Sequence, residues 1–339
     1  MENKKYIASI DIFKYFCALM IVDSHVRLIN IENSFLFEIF RFALYFFHCS
    51  FGYFFMKNLK NNSKDVLIKN IKRLITPLVF WVIIYTLINY YNNVLSGTQG
   101  NMEFLKYQIK SMFINGVGFH LWFLAALIIY AIITTYLYNN NKIKVLYPIS
   151  IVLYTIGLLG SYYYQIGNIL PVINKIINMP YFTTLCRLML HGLPMFTMGV
   201  FIANYEDSLE NIKSIHLFIL VVVFFAVSVV EILFVLKVAK IQTNICSLGL
   251  CILTFPLFIL LKNNPMNGFS NIAKPLKYIS TFMYYSHPLF RTVIASAFMR
   301  VLGIDLVGKK MTIIVILACT ITGYILYKIN NKYLNRICS

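Results

Sequence analysis

The sequence predicts an all-α polytopic membrane protein of about ten transmembrane helices, and three observations carry that prediction. Hydrophobic residues fill 59% of the 339 positions and charged residues only 12%, against about 25% charged in an average soluble domain. Apolar runs long enough to cross a hydrocarbon core about 30 Å thick recur from one end of the chain to the other. Basic residues collect in the segments between those runs, as the positive-inside rule expects.

The predicted spans are 8–29, 36–56, 74–93, 121–138, 145–163, 182–203, 215–236, 244–261, 278–299 and 311–328. Lys4 and Lys5 ahead of the first span suggest a signal peptide. The run is nevertheless long, is interrupted by Asp11 and Lys14 and lacks a small-x-small cleavage site, so it reads as a retained helix. After the second span comes the most basic segment, 57–73, with Lys57, Lys60, Lys64, Lys69, Lys72 and Arg73. It reads as a topology determinant near anionic lipid, or as a holder of an anionic cytoplasmic cofactor. The longest outer connection, 94–120, contains Gly97, Gly100, Gly116 and Gly118 and reads as a solvated loop or as a cover over an outer site.

Lys142 and Lys144 separate the fourth and fifth spans. The 204–213 connection after the sixth dissents, with Glu206, Asp207 and Glu210 against Lys213, but acids weigh little in the topology rule. With the first residues inside, 17 of the 30 Lys and Arg residues fall in cytoplasmic segments and nine in outer ones. Both termini are therefore expected in the cytoplasm, and residues 1–339 are expected to form a single membrane-embedded domain.

The formal charge of +18 could suggest nucleic acid, but the basic residues form neither one patch nor an RNA-binding motif. No nucleic-acid partner is expected. Six of the seven cysteines lie in apolar segments without CxxC spacing, so they read as small packing residues and no metal is expected. There is no HExxH, Walker loop, GxSxG elbow or carboxylate cluster, which argues against zinc proteolysis, nucleotide hydrolysis and serine-hydrolase chemistry.

The four remaining basic residues, Lys14, Arg41, Arg187 and Arg291, lie inside predicted spans, where a charge costs about 2.5–3.5 kcal/mol at the helix centre. Lys14 and His25, eleven apart, come within about 20° of each other on a helix and about 16 Å apart along its axis. Arg41 and His48 are seven apart, while Arg187 with His191 and His287 with Arg291 are four apart. Four helices thus each present a histidine and a cation on one stripe, and a shared polar cavity follows. Asp11 is placed to neutralise Lys14, and Glu231 reads as a counter-ion to one of the arginines. Neutral imidazole suits proton removal from a hydroxyl near pH 7, and the arginines suit phosphate binding or a developing oxyanion. Each pair also has a plain alternative in snorkelling or packing.

Several ordered motifs add a family resemblance. Ser9-Ile-Asp-Ile-Phe-Lys14, followed after ten intervening residues by His25, resembles the opening helix of acyltransferase family 3, the multi-span bacterial membrane O-acyltransferases. Lys72-Arg73-Leu74 with Pro77 resembles the family's basic entry to the third span, His120-Leu-Trp122-Phe123-Leu its HLWFL segment, and Tyr284-Tyr-Ser-His287-Pro its late YxxHP-like element. Phe46-Phe47-His48-Cys49-Ser50-Phe51-Gly52-Tyr53 departs from the family's FFxxSGF/Y pattern by parting Ser from Gly.

The resemblance implies transfer of an acetyl or succinyl group from cytoplasmic acetyl-CoA or another acyl-CoA to a hydroxyl of a cell-surface polysaccharide or lipid-linked sugar. It implies a multi-pass protein of the bacterial cytoplasmic membrane, in the compact form without an SGNH domain. His25 would act as base or acyl carrier, and Lys14 would contact the donor. Asp11, Arg41, His48, Ser50, Arg73, His120, Trp122, Arg187, His191, Tyr284, His287 and Arg291 are candidates for the cavity and its substrates. Two other functions fit the same residues: a glycan or small-anion exporter, and a non-catalytic ligand sensor similar to the membrane half of vancomycin-resistance serine racemases. The sequence does not set an oligomeric state.

Overall fold

A computed structural model describes residues 6–26, 34–61, 63–95, 97–114, 120–238 and 245–338. Within the described residues each predicted span falls on helical structure, the second broken at Arg41 and the sixth built of three segments, while 27–29 of the first span and 244 of the eighth lie outside those residues; no strand occurs among the described residues. The helices are α1 (Ala8–Val26), α2 (Ser34–Phe40), α3 (Phe42–Asn61), α4 (Ser63–Tyr90), α5 (Asn101–Ile114), α6 (Trp122–Asn139), α7 (Leu146–Leu159), α8 (Tyr164–Ile169) and α9 (Pro171–Ile177). They continue as α10 (Phe182–Leu185), α11 (Leu193–Asn204), α12 (Glu206–Glu210), α13 (Ser214–Val238), α14 (Leu248–Asn263), α15 (Ser270–Leu302), α16 (Gly308–Ile329) and α17 (Lys332–Cys338). A π-helical segment, Cys186–Gly192, joins α10 to α11.

Six of these stretches are long and apolar enough to cross a bilayer, and the count reaches seven if α14 and α15, bent by 82° at a short break, make one span. That is fewer than ten for a physical reason: α1 carries Asp11, Lys14 and Asp23, and α7 has only 14 residues. The chain is a multi-pass membrane protein. α13 and α16 turn Phe218, Val222, Val230, Ile313, Leu317 and Ile321 outward. In a membrane such faces meet lipid, while every backbone polar group stays satisfied within its helix.

α3 is the hub, packed against α1, α11, α14, α4 and α6. Its approach to α11 is backbone on backbone. A Cβ at Gly52 would collide with the Phe196 carbonyl and one at Gly199 with the Cys49 carbonyl, so each helix needs a glycine where it meets the other.

Local geometry differs from expectation in four places. The 57–73 segment is not a loop, because α3 runs to Asn61 and α4 starts at Ser63. The 94–120 connection contains the fourteen-residue α5. α15 starts eight residues before its predicted span. Arg41 sits in the turn between α2 and α3, where Leu44 N–H bonds the Arg41 carbonyl at 3.0 Å, so the helical phase assumed between Arg41 and His48 does not hold.

The acidic 204–213 connection has an account in charge pairing. Glu206 Oε1 accepts from Lys57 Nζ at 2.9 Å and from the Tyr53 hydroxyl at 2.7 Å. Lys262 Nζ lies 3.4 Å from Glu206 and 2.7 Å from Glu210. Burial alone would raise the Glu206 pKa, but the Lys57 and Tyr53 hydrogen bonds and the charges of Lys262 and Lys57 hold it below the ordinary carboxylate range. The three segments that the charge count assigns to one side, beginning at Lys57, spanning 204–213 and beginning at Lys262, meet at one end of the bundle.

Candidate functional site

α1 sets the first half of the site. Asp11 and Lys14 are one turn apart and pair at 3.6 Å, as the i,i+3 spacing predicts. Asp11 is only 4% exposed, and Lys277 from α15 reaches its second oxygen at 3.9 Å. Lys14 Nζ also stands over the Phe54 ring, 4.8 Å from its centroid, a desolvated cation against a π face.

These groups line a cavity of about 400 Å³. At one end are Tyr6, Asp11, Asn58, Asn70, Arg73 and Lys277; at the other are Ile21, Leu44, Phe47, Phe123, Leu127 and Tyr284. Along α3 the lining runs from Asn58 back to Leu44, about 21 Å at 1.5 Å per residue. The cations gather at one end and the far end is apolar. Ser50 lines the cavity and its buried Oγ has no partner among the described residues. The parted Ser and Gly of this helix thus divide two tasks: Ser50 faces the cavity and Gly52 makes the contact with α11.

Of the expected residues, Lys14, Asp11, Ser50, Arg73 and Tyr284 line this cavity. His25 and the other histidines and arginines form a separate layer beyond it. The rings of His25 and His287 lie 5.2 Å apart, those of His287 and His120 5.1 Å. His48 and His191 form a second pair at 5.4 Å, with Tyr45 4.4 Å from His191 and Trp122 6.1 Å from His48. Phe47, Phe123 and Tyr284 stand between: they line the cavity, and Phe123 is 4.6 Å from His48 while Tyr284 is 5.4 Å from His120. These three rings form an aromatic wall where the far end of the cavity meets the histidine layer.

Backbone carbonyls fix the tautomers, because a carbonyl can only accept. His287 Nδ1 lies 3.0 Å from the carbonyls of both Met283 and Tyr284 and must carry the proton. Its Nε2 is therefore the lone-pair nitrogen, buried and without a partner among the described residues. His48 Nδ1 donates to the Leu44 carbonyl at 2.8 Å, which leaves Nε2 as its acceptor. His120 Nε2 faces the Tyr285 carbonyl at 3.3 Å, and the Tyr284 hydroxyl donates to the His120 carbonyl. The layer therefore presents imidazole lone pairs, the form that can take a proton from a hydroxyl.

Arg291 follows His287 by one turn of α15. Arg187 and His191 occupy the π-helical segment, a geometry frequent at functional sites. Glu38, not Glu231, is the arginine counter-ion: it lies 3.8 Å from Arg41 and accepts from the Tyr162 hydroxyl at 2.7 Å. Glu231 instead accepts from the N–H groups of Leu248 and Gly249 at 2.9 and 2.8 Å and from Tyr163 at 2.9 Å. It is the anion at the N-terminus of α14, where free N–H groups and the helix dipole favour negative charge.

Lys277, Asn58 and Asn70 were not among the sequence candidates. Lys277 reads as a flanking residue when the ninth span starts at 278. The spacing of Lys277, Ser280, Thr281 and Tyr284, all lining the cavity, is the helical signal that identifies it. Among the described residues no group of three His, Cys, Asp or Glu could hold a metal.

The sequence matches the profile of the acyltransferase 3 family, an acyltransferase domain, over residues 7–332. It is also similar to an amino-acid racemase of Enterococcus faecalis, 26% identical over 296 residues that make up 85% of this chain and 41% of that protein. A second amino-acid racemase of Enterococcus faecalis is 31% identical over 185 residues, 52% of this chain and 25% of that protein. The chain thus spans less than half the length of these curated relatives. No solved structure matches. With the profile covering nearly the whole chain, the protein belongs to the acyltransferase 3 family.

Proposed function

We propose that this acyltransferase moves a short acyl group, acetyl or succinyl, from cytoplasmic acyl-CoA to a hydroxyl of a cell-surface polysaccharide or lipid-linked sugar. In this reading the chain crosses a bacterial cytoplasmic membrane several times with both termini inside. The observation that carries the reading is the division of the site: a basic cavity beside a histidine layer, parted by three aromatic rings. The meeting of the Lys57, 204–213 and Lys262 segments at one end supports the topology.

Each residue then has a task. Lys14, Arg73 and Lys277 bind the donor's phosphates, and Asp11 holds the two lysines at its opposite oxygens. The apolar far end receives the acyl end of the donor, with Phe47, Phe123 and Tyr284 excluding bulk water from the thioester. His25 removes the proton from the acceptor hydroxyl. The oxygen's electron pair forms the bond to the thioester carbonyl carbon, and the carbon–sulfur bond then breaks. The departing thiolate takes the proton back from the imidazolium, leaving free CoA thiol and a neutral His25. His287, whose ring lies 5.2 Å from that of His25, packs against it and sets its orientation. Arg41, Arg187 and Arg291 offset negative charge on the acceptor side.

Purified protein in vesicles, given labelled acyl-CoA and acceptor, tests this reading. Label transferred to the glycan supports it. Label or glycan accumulating in the lumen without a new ester supports the exporter, and ligand response retained in His25→Ala supports the sensor.

A further inference from the structure

Hydroxyls on the helices of this chain are commonly spent within their own helix. Thr135, Ser228, Thr254 and Thr281 each donate to the carbonyl four residues back, at 2.7–3.1 Å, the usual resting place of such a group. Ser50 lies in the middle of α3, four residues after Phe46, yet its fully buried Oγ has no hydrogen-bond partner among the described residues. The Thr134 hydroxyl is also buried and unpaired, but of the two Ser50 lines the cavity.

Phe47, Phe51 and Phe54 line the cavity on either side of Ser50 along α3. The hydroxyl therefore stands in an apolar wall, where a hydrogen bond is strong and an unmade one is costly. Other hydroxyls that reach the cavity are taken: Ser280 and Thr281 donate to the Lys277 carbonyl at 2.8 and 3.1 Å, and Tyr284 donates to that of His120. Ser50 is about 12 Å along α3 from Asn58 at the basic end, and about 4.5 Å on the cavity side of Phe47 in the aromatic wall. A ligand reaching this point meets a single free O–H donor in apolar company, which suits a neutral carbonyl oxygen and not a phosphate. Nor is Ser50 placed as a nucleophile. His48, two residues earlier, lies about 160° away around the helix, and its Nδ1 is committed to the Leu44 carbonyl.

We infer that Ser50 is a further catalytic residue, whose hydroxyl donates to the carbonyl oxygen of the donor's thioester and stabilises the negative charge that gathers there during transfer. The inference rests on the acyl-transfer reading and gives the acyl end of the donor its polar contact. When the acceptor oxygen adds to the carbonyl carbon, one electron pair of the C=O bond moves onto the oxygen facing Ser50. When the carbon–sulfur bond breaks, that pair returns and the carbonyl re-forms. Ser50 keeps its proton throughout, acting as a fixed donor aimed at developing charge.

Acetyl-CoA and S-ethyl-CoA, a thioether of the same length without the carbonyl oxygen, test the contact on the full chain. Calorimetry without acceptor should show wild-type protein binding acetyl-CoA about fivefold more tightly than S-ethyl-CoA, the worth of one hydrogen bond. Ser50→Ala should lose that preference through weaker acetyl-CoA binding alone, with S-ethyl-CoA unchanged. Infrared spectra of acetyl-CoA with an isotope-labelled carbonyl should show the stretch lowered on binding to wild type and restored in Ser50→Ala. In turnover, Ser50→Ala should lower kcat about a hundredfold with the acceptor KM unchanged, and Ser50→Thr, which keeps a hydroxyl, should recover part of the loss.

Equal binding of the two ligands by wild type, or a preference that survives in Ser50→Ala, would overturn the inference, because Ser50 would then serve only water in the cavity; acetyl transfer to the glycan by the same protein would leave the acyl-transfer reading standing. A carbonyl preference lost in Ser50→Ala, with no transfer to any glycan, would uphold the contact and refute that reading. An acetyl ester recovered on Ser50 after an acid quench would overturn the donor role in favour of a nucleophile. Thermal unfolding identifies a variant that fails to fold, and the comparison of the two ligands on wild type then carries the test.

Discussion

Replacing Lys277 with methionine should weaken the donor by a predictable amount. The cavity contains three cations and one carboxylate, so K277M lowers its net charge from about +2 to about +1 while keeping a linear apolar stem. A charge-assisted hydrogen bond to phosphate contributes about 1.5–3 kcal/mol when desolvated. The Lys277 side chain is 49% exposed, against 18% for Lys14. Solvent screening therefore reduces its share to about 1 kcal/mol, close to fivefold in affinity. Lys14→Met, more deeply placed, should cost about tenfold or more, and the losses should combine non-additively because Asp11 couples the two lysines. Calorimetric titration with acetyl-CoA, and with an analogue lacking the 3′-phosphate, measures both effects at low and high salt. Wild-type affinity in K277M, or losses that do not shrink with salt, would refute the assignment of the basic end to the donor's phosphates.

Three other substitutions probe other parts of the account. His287→Leu should lower kcat about a hundredfold or more with little change in donor KM, the scale of a lost base-orienting contact, while His287→Gln, which keeps an acceptor, should recover part of it; stopped-flow release of CoA thiol measures both. Gly199→Ala drives a methyl into the Cys49 carbonyl, a backbone contact that no rotamer relieves, so thermal unfolding should show a loss of about 1–3 kcal/mol. Glu206→Gln should lower stability near neutrality by up to about 1 kcal/mol. Because the folded carboxyl titrates below its unfolded value, that contribution is present above about pH 4.3 and disappears as pH falls through the lower folded value; the melting temperatures of wild type and variant should therefore converge under acid.

Much of the fold was legible because lipid imposes length and composition on any helix that crosses it. The Asp11–Lys14 pair follows from one-turn spacing, and the approach of His25 to His287 from treating intramembrane histidines as members of one site. Two of the phase arguments fall where the helix itself is irregular. The turn at Arg41 and the π-helical segment under Arg187 and His191 alter the rotation per residue, and hydropathy does not register either. Glu231 was misread because a carboxylate that caps a distant helix looks, in sequence, like one awaiting an arginine. Glu38 went unnoticed at the start of an apolar span. The aromatic wall was illegible for a different reason: Phe47, Phe123 and Tyr284 come from three helices, and in a chain with 29 phenylalanines and 24 tyrosines composition does not single them out. Ordered family motifs supplied the residues, and packing supplied their division between the cavity and the histidine layer.

The central claim is that His25 takes the acceptor's proton on the far side of that wall. The most direct test is mass spectrometry of the acceptor glycan after incubation with acyl-CoA and either wild-type protein or His25→Ala, each confirmed to be folded and to bind donor. The account predicts one added acyl group per modified hydroxyl with wild type and none with His25→Ala despite unchanged donor affinity. Equal ester content with the two proteins would contradict it.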